Sequence, residues 1–110
     1  MKLSKETEQN ISQLQLLEQN LQNFLAQKQT FQAQLMEVEN ALKELDSAKD
    51  DTYKIVGNVM IKEKKEELIK DLNSRKEIAE LRLKTIEKQE TKIKERAEEL
   101  QKKVMKELEK

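Results

Sequence analysis

Apolar side chains recur along the first half of this chain at alternating steps of three and four residues. They run through Leu14, Leu17, Leu21 and Phe24, cross a lysine at Lys28, and continue through Phe31, Leu35, Val38, Leu42 and Leu45. This is a heptad seam, uninterrupted by Gly or Pro, and it predicts one helix over residues 4–46 that pairs with a second helix. A matching seam follows through Ile69, Leu72, Lys76, Ala79, Leu83, Ile86, Glu90, Ile93, Ala97, Leu100 and Val104, predicting a helix over residues 64–109. The second helix carries Glu four residues ahead of Lys at Glu66/Lys70, Glu80/Lys84, Glu90/Lys94, Glu98/Lys102 and Glu99/Lys103, the favoured orientation for such pairs. At about 1.5 Å per residue, each helix is roughly 60 to 70 Å long, too extended to form a compact domain alone.

The two seams can be laid against each other, because facing positions in an antiparallel pair keep a constant sum of residue numbers. The alignment that sets Leu45 against Ile69 also sets Leu42 against Leu72, Leu35 against Ala79, Phe31 against Leu83, Leu21 against Ile93, Leu17 against Ala97 and Leu14 against Leu100. Large residues often meet small ones, as close packing requires. Charge agrees with the alignment: residues 4–45 carry three bases against six acids, and residues 64–110 carry fifteen bases against twelve acids. Each helix therefore prefers the other over a copy of itself. At the charged seam positions Lys28, Lys76 and Glu90, the stems can cover the seam while the charges reach water. Lys28 and Glu90 also stand one turn off the facing alignment, close enough to pair and hold the register.

Between the helices the period changes. Asp46-Ser47-Ala48-Lys49-Asp50-Asp51 is a helix-stopping run, and Thr52 to Glu63 concentrates β-branched and aromatic residues around Gly57-Asn58, the composition of a two-residue turn with positive φ. This predicts a β-hairpin over residues 52–63, with Val56 opposite Val59. Stepping outward puts Lys54, Val56, Val59 and Ile61 on one face and Tyr53, Ile55, Met60 and Lys62 on the other. Both faces are largely apolar. A lone two-stranded hairpin is marginal in water, so this one requires company from other chains at its open edges.

Composition narrows the function. Of 110 residues, 40% are charged, 35% hydrophobic and 3% aromatic, with one Gly and no Pro, Cys, His or Trp. That composition belongs to long helices rather than to a globular enzyme core. The sustained period separates it from disorder. Twenty-two bases balance twenty-two acids, leaving no net field for nucleic acid or an anionic membrane. The usual zinc and iron ligands are missing, and the lone Gly57 cannot build a phosphate-cradling loop, so no cofactor or metal is expected. Acidic neighbours such as Glu66/Glu67 and Glu98/Glu99 sit on solvated helix faces without a shared dry pocket, which gives no basis for catalysis. No apolar run resembles a signal peptide or a membrane span, and a cytoplasmic protein is expected. The excess of Lys and Glu suits a thermophilic archaeal source.

Taken with those residues, the chain resembles a prefoldin subunit of the beta class. The resemblance is carried by Tyr53-Lys54-Ile55-Val56-Gly57 and Val59-Met60-Ile61-Lys62, by Gln27-Lys28-Gln29 and Gln32-Ala33-Gln34-Leu35 in the first helix, and by Glu87-Lys88-Gln89-Glu90 in the second. It spans nearly the whole chain as one prefoldin-type domain over 1–110. Alpha-class members carry two hairpins between their helices, and the interval here has room for one. The resemblance implies a mainly α fold: a long antiparallel two-helix coiled coil with a β-hairpin between the helices, the hairpins of two alpha and four beta subunits joining in a β-barrel platform. It further implies a chaperone that works without nucleotide, holds non-native proteins at the tips of its coiled coils and passes them to a group II chaperonin.

Residues for each role follow from exposure and position. Subunit assembly falls to Tyr53, Ile55, Val56, Gly57, Val59, Met60 and Ile61. Client binding is expected at the end of the helix pair remote from the hairpin, at Leu3, Ile11, Leu14, Leu16, Val104, Met105 and Leu108, with Met105 offering a soft, unbranched surface. Ile11, Leu14 and Val104 also fit a second role, simply finishing the seam. A passive coiled-coil scaffold is the competing function, and it gives no reason to interrupt the heptads with a two-faced apolar hairpin.

Overall fold

The structure is a computed structural model that describes residues 3–109; Met1, Lys2 and Lys110 lie outside the described residues. Its elements run α1 (Lys5–Ser47), β1 (Thr52–Val56), β2 (Val59–Glu63) and α2 (Lys65–Glu109). The expected boundaries agree to within one residue. No helix among the described residues is long and apolar enough to cross a membrane.

The helices start and stop for identifiable reasons. Ser4 caps α1: its Oγ accepts the Thr7 amide at 3.1 Å and donates to Thr7 Oγ1 at 2.9 Å, which also satisfies the hydroxyl of a buried threonine. At the other end, the last turn of α1 has no basic residue of its own. Lys65 supplies one from the start of α2, its ammonium donating to the Asp46 and Ala48 carbonyls at 3.3 Å each. Glu66 and Glu67 occupy the first turn of α2, where the helix dipole favours negative charge.

The described residues gather into two compact units. One takes α1 up to Gln29 together with α2 from Lys84 onward, and the other is Thr30–Leu83. In the first, the buried positions are Thr7, Leu17, Ile86, Leu100 and Val104, with Leu14, Leu21, Phe24, Ile93 and Ala97 half-buried beside them. Lys28 Nζ and Glu90 Oε1 stand 3.2 Å apart, so the charged seam positions pair across the helices, and Lys94 approaches the same oxygen at 3.8 Å. In the second unit, Phe31, Leu35, Val38, Leu42 and Leu45 are half-buried against a strip of α2 in which Leu68 and Ala79 are buried. The Arg82 guanidinium lies 5.4 Å from the Phe31 ring centroid, adding a cation–π contact at a position where the heptad alignment placed Leu83. Every expected seam position of both helices is at least half-buried.

β1 and β2 pair antiparallel in the expected register: Thr52 with Glu63, Tyr53 with Lys62, Lys54 with Ile61, Ile55 with Met60 and Val56 with Val59. Gly57 carries the turn at a φ of 62°. Thr52 Oγ1 donates to the Glu63 carbonyl at 2.7 Å and Lys62 reaches Asp51 at 3.3 Å, closing the open end of the hairpin.

Candidate functional site

The hairpin register decides which side chains share a face. Val56, Val59 and Ile61 stand on one side, Tyr53, Ile55 and Met60 on the other, and all six are between 47% and 70% exposed. A two-stranded sheet has no interior, and among the described residues no third strand pairs with either edge. Both outer edges also leave backbone N–H and C=O groups directed away from the pair, ready to bond further strands. The arrangement is physically adhesive: it can bury apolar area and complete β ladders with other hairpins. The expected assembly residues are thus brought together on one hairpin, with Gly57 at its tip.

The second expected group lies in the other unit, where α1 begins and α2 ends. Leu16, Met105 and Leu108 are exposed there, at 57%, 52% and 47%. Leu3, Ile11 and Leu14 are half-buried, and Val104 is buried at 8% exposure. The seam periodicity accounts for this division: Leu14 and Val104 continue the stripe that points between the helices, whereas Leu16 and Met105 stand off it. Met105 also lines a shallow surface depression with Glu98, Gln101, Lys102, Lys106 and Glu109, so apolar and charged groups alternate around it.

Among the described residues, no cluster of three or more acidic side chains is arranged to hold a metal ion. Sequence reasoning passed over Leu25, Met36, Ile78 and Leu81, which are apolar, off the seams and at least half exposed. Their off-seam positions were readable, but helix flanks in a two-helix pair are usually solvated, so periodicity alone gave them no partner.

A family model described as "Prefoldin subunit" matches residues 8–110. The chain belongs to the prefoldin family. Among curated relatives, the prefoldin subunit beta of Archaeoglobus fulgidus is 46% identical over 96 residues, covering 86% of this chain and 83% of that protein. The prefoldin subunit beta of Sulfolobus acidocaldarius is 40% identical over 105 residues, covering 94% and 84% respectively. The crystal structure of the prefoldin beta subunit from Thermococcus strain KS-1 superposes with a TM-score of 0.89 at 31% identity, covering 96% of this chain and 94% of that one. A single hairpin between two long helices therefore places this prefoldin in the beta class, as its residues implied.

Proposed function

We propose that this prefoldin chain is a beta subunit of an ATP-independent molecular chaperone that binds unfolded proteins, keeps them from aggregating and transfers them to a group II chaperonin in the cytoplasm. The assembly is a hexamer of two alpha and four beta subunits, joined through Tyr53, Ile55, Val56, Gly57, Val59, Met60 and Ile61 into a β-barrel platform. The observation that carries this reading is the hairpin with six exposed apolar side chains on two faces, an arrangement that a single subunit leaves uncovered. A passive scaffold has no use for it.

Clients are held at the free end of each helix pair. Leu16, Met105 and Leu108 present surface as folded, Leu3 flanks them, and Ile11, Leu14 and Val104 add to the surface when the last turns fray. Each contact is weak, and several subunits acting on one unfolded chain sum to useful avidity without nucleotide. The test is the triple variant L16S/M105S/L108S, reconstituted with an alpha-class subunit. It should keep the native mass of the hexamer and lose most of its suppression of client aggregation, whereas full suppression by the intact variant hexamer would move client binding elsewhere.

A further inference from the structure

The chain carries nineteen lysines and only three arginines, and two of those arginines, Arg75 and Arg82, line one groove of about 340 Å³ in the unit Thr30–Leu83. Phe31, Val38 and the buried Ala79 give the groove its apolar part, and Ile78 lines it at 53% exposure. Glu37 is the single acid there, so the groove is basic in a chain whose charges cancel overall.

The two guanidiniums are not equally committed. Arg75 shares an exposed ion pair with Asp71 of its own helix at 3.3 Å, a contact that water and salt weaken. Arg82 lies over the Phe31 ring, 5.4 Å from its centroid, and has no carboxylate partner among the described residues. Stacking uses the face of a guanidinium and leaves its N–H edges for acceptors, and a guanidinium already held by a ring loses less freedom when a carboxylate arrives. Arginine grips such a group through two parallel hydrogen bonds, where lysine offers a point charge.

Spacing sets the shape of the ligand. Arg75 and Arg82 are seven residues apart, about 10 Å along α2. In an extended peptide alternate side chains point the same way, and four steps span about 13 Å. An acid, an apolar residue two positions on and a second acid two beyond that therefore match the groove: the long arginine stems absorb the difference in span, and the apolar side chain falls between them on Ile78 and Phe31.

We propose that this groove is a second client contact, separate from the free end, that takes extended acidic segments in which an apolar residue lies between two carboxylates. The inference deepens the client-binding reading given above and rests on it. Apolar burial holds the segment and the arginines choose it, because a neutral segment would cover two guanidiniums without giving them an acceptor and a basic one would set like charge against them.

The chain has no cysteine, so disulfide trapping reads the groove directly. Hexamers of the I78C chain with a cysteine-free alpha-class subunit are exposed, under mild oxidation, to the end-capped peptides Glu-Ser-Cys-Ser-Glu, Gln-Ser-Cys-Ser-Gln and Lys-Ser-Cys-Ser-Lys. The acidic peptide should label I78C several-fold faster than the Gln peptide, with the basic peptide slowest. Adding R75E/R82E should reverse that order, and M36C, exposed at 64% outside the groove, should show no preference for the acidic peptide. Equal rates at I78C, or an order that R75E/R82E leaves unchanged, would overturn the groove. An oxidised band at twice the subunit mass in the absence of peptide would assign it to a second copy of the chain and overturn the proposal as well. Adding L16S/M105S/L108S keeps the two readings apart. That hexamer should still label I78C at the parent rate, and loss of labelling there would move the acidic segment to the free end and overturn the groove; full suppression of aggregation by it would overturn the free-end site and leave the groove's acidic preference standing.

Discussion

Lys28 and Glu90 face each other across the helix pair at 3.2 Å, and their side chains are only 25% and 12% exposed. Both occupy positions that the heptad reserves for apolar groups, and they lie one turn away from the alignment of the neighbouring seam residues. A slip of the helices by one heptad would leave each charge in the seam without its partner, so the pair penalises misregister more than it strengthens the correct fold.

A double-mutant cycle on this pair should show coupling. K28A and E90A should each lower stability, with an interaction energy on the order of 1 kcal/mol, since partial exposure screens the attraction. Thermal unfolding of the four proteins measures it, and strict additivity would reduce the pair to a coincidence of packing.

Leu100 separates seam from surface at the free end. It is 1% exposed, and L100A should cost about 2 to 4 kcal/mol by removing buried methyl groups from a pair too thin to close the gap. L16A, a few residues from the same end, should change stability by less than about 0.5 kcal/mol because Leu16 already faces water. Equal losses for the two variants would contradict the division.

Replacing Val56, Val59 and Ile61 together by Asp should disperse the assembly while leaving most of the helical circular dichroism. In a shared β structure each carboxylate would need a partner or a proton. Native mass spectrometry gives the answer, and an unchanged mass would remove the hairpin from the assembly interface.

Gly57 holds a φ of 62°, and a Cβ built there meets no atom within 4 Å. The cost of G57A is therefore backbone strain alone, about 1 kcal/mol, and G57N should cost less because Asn tolerates the left-handed region. Assembly midpoints at decreasing subunit concentration should rank glycine first, Asn second and Ala third; Ala matching glycine would mean the turn relaxes to another type.

Much of the fold was legible because two periods run through the chain. The steps of three and four from Leu14 to Leu45 and from Ile69 to Val104 named positions that are all at least half-buried, and the alternation around Gly57-Asn58 gave the strand register residue by residue. These features are local: a helix or hairpin repeats its geometry at fixed spacing, so burial on one side leaves a periodic trace in the sequence. Even the pairing of Lys28 with Glu90 could be reached by counting, since two antiparallel helices have a single alignment variable.

Tertiary structure decided what counting could not reach. Leu68 is buried at 8% exposure although the seam resumes only at Ile69, so the covered strip of α2 starts one residue earlier than spacing implies. Lys65 was one lysine among many until the end of α1 brought the Asp46 and Ala48 carbonyls within 3.3 Å of its ammonium. The cation–π contact of Arg82 with Phe31, and the groove it borders, depend on side-chain directions on two helices together. Sequence alone determined which residues lie between the helices and which form the hairpin, because those follow from spacing along one element. Flank contacts and the cap that Lys65 supplies came only from the packed structure, because they depend on groups that separate elements bring together.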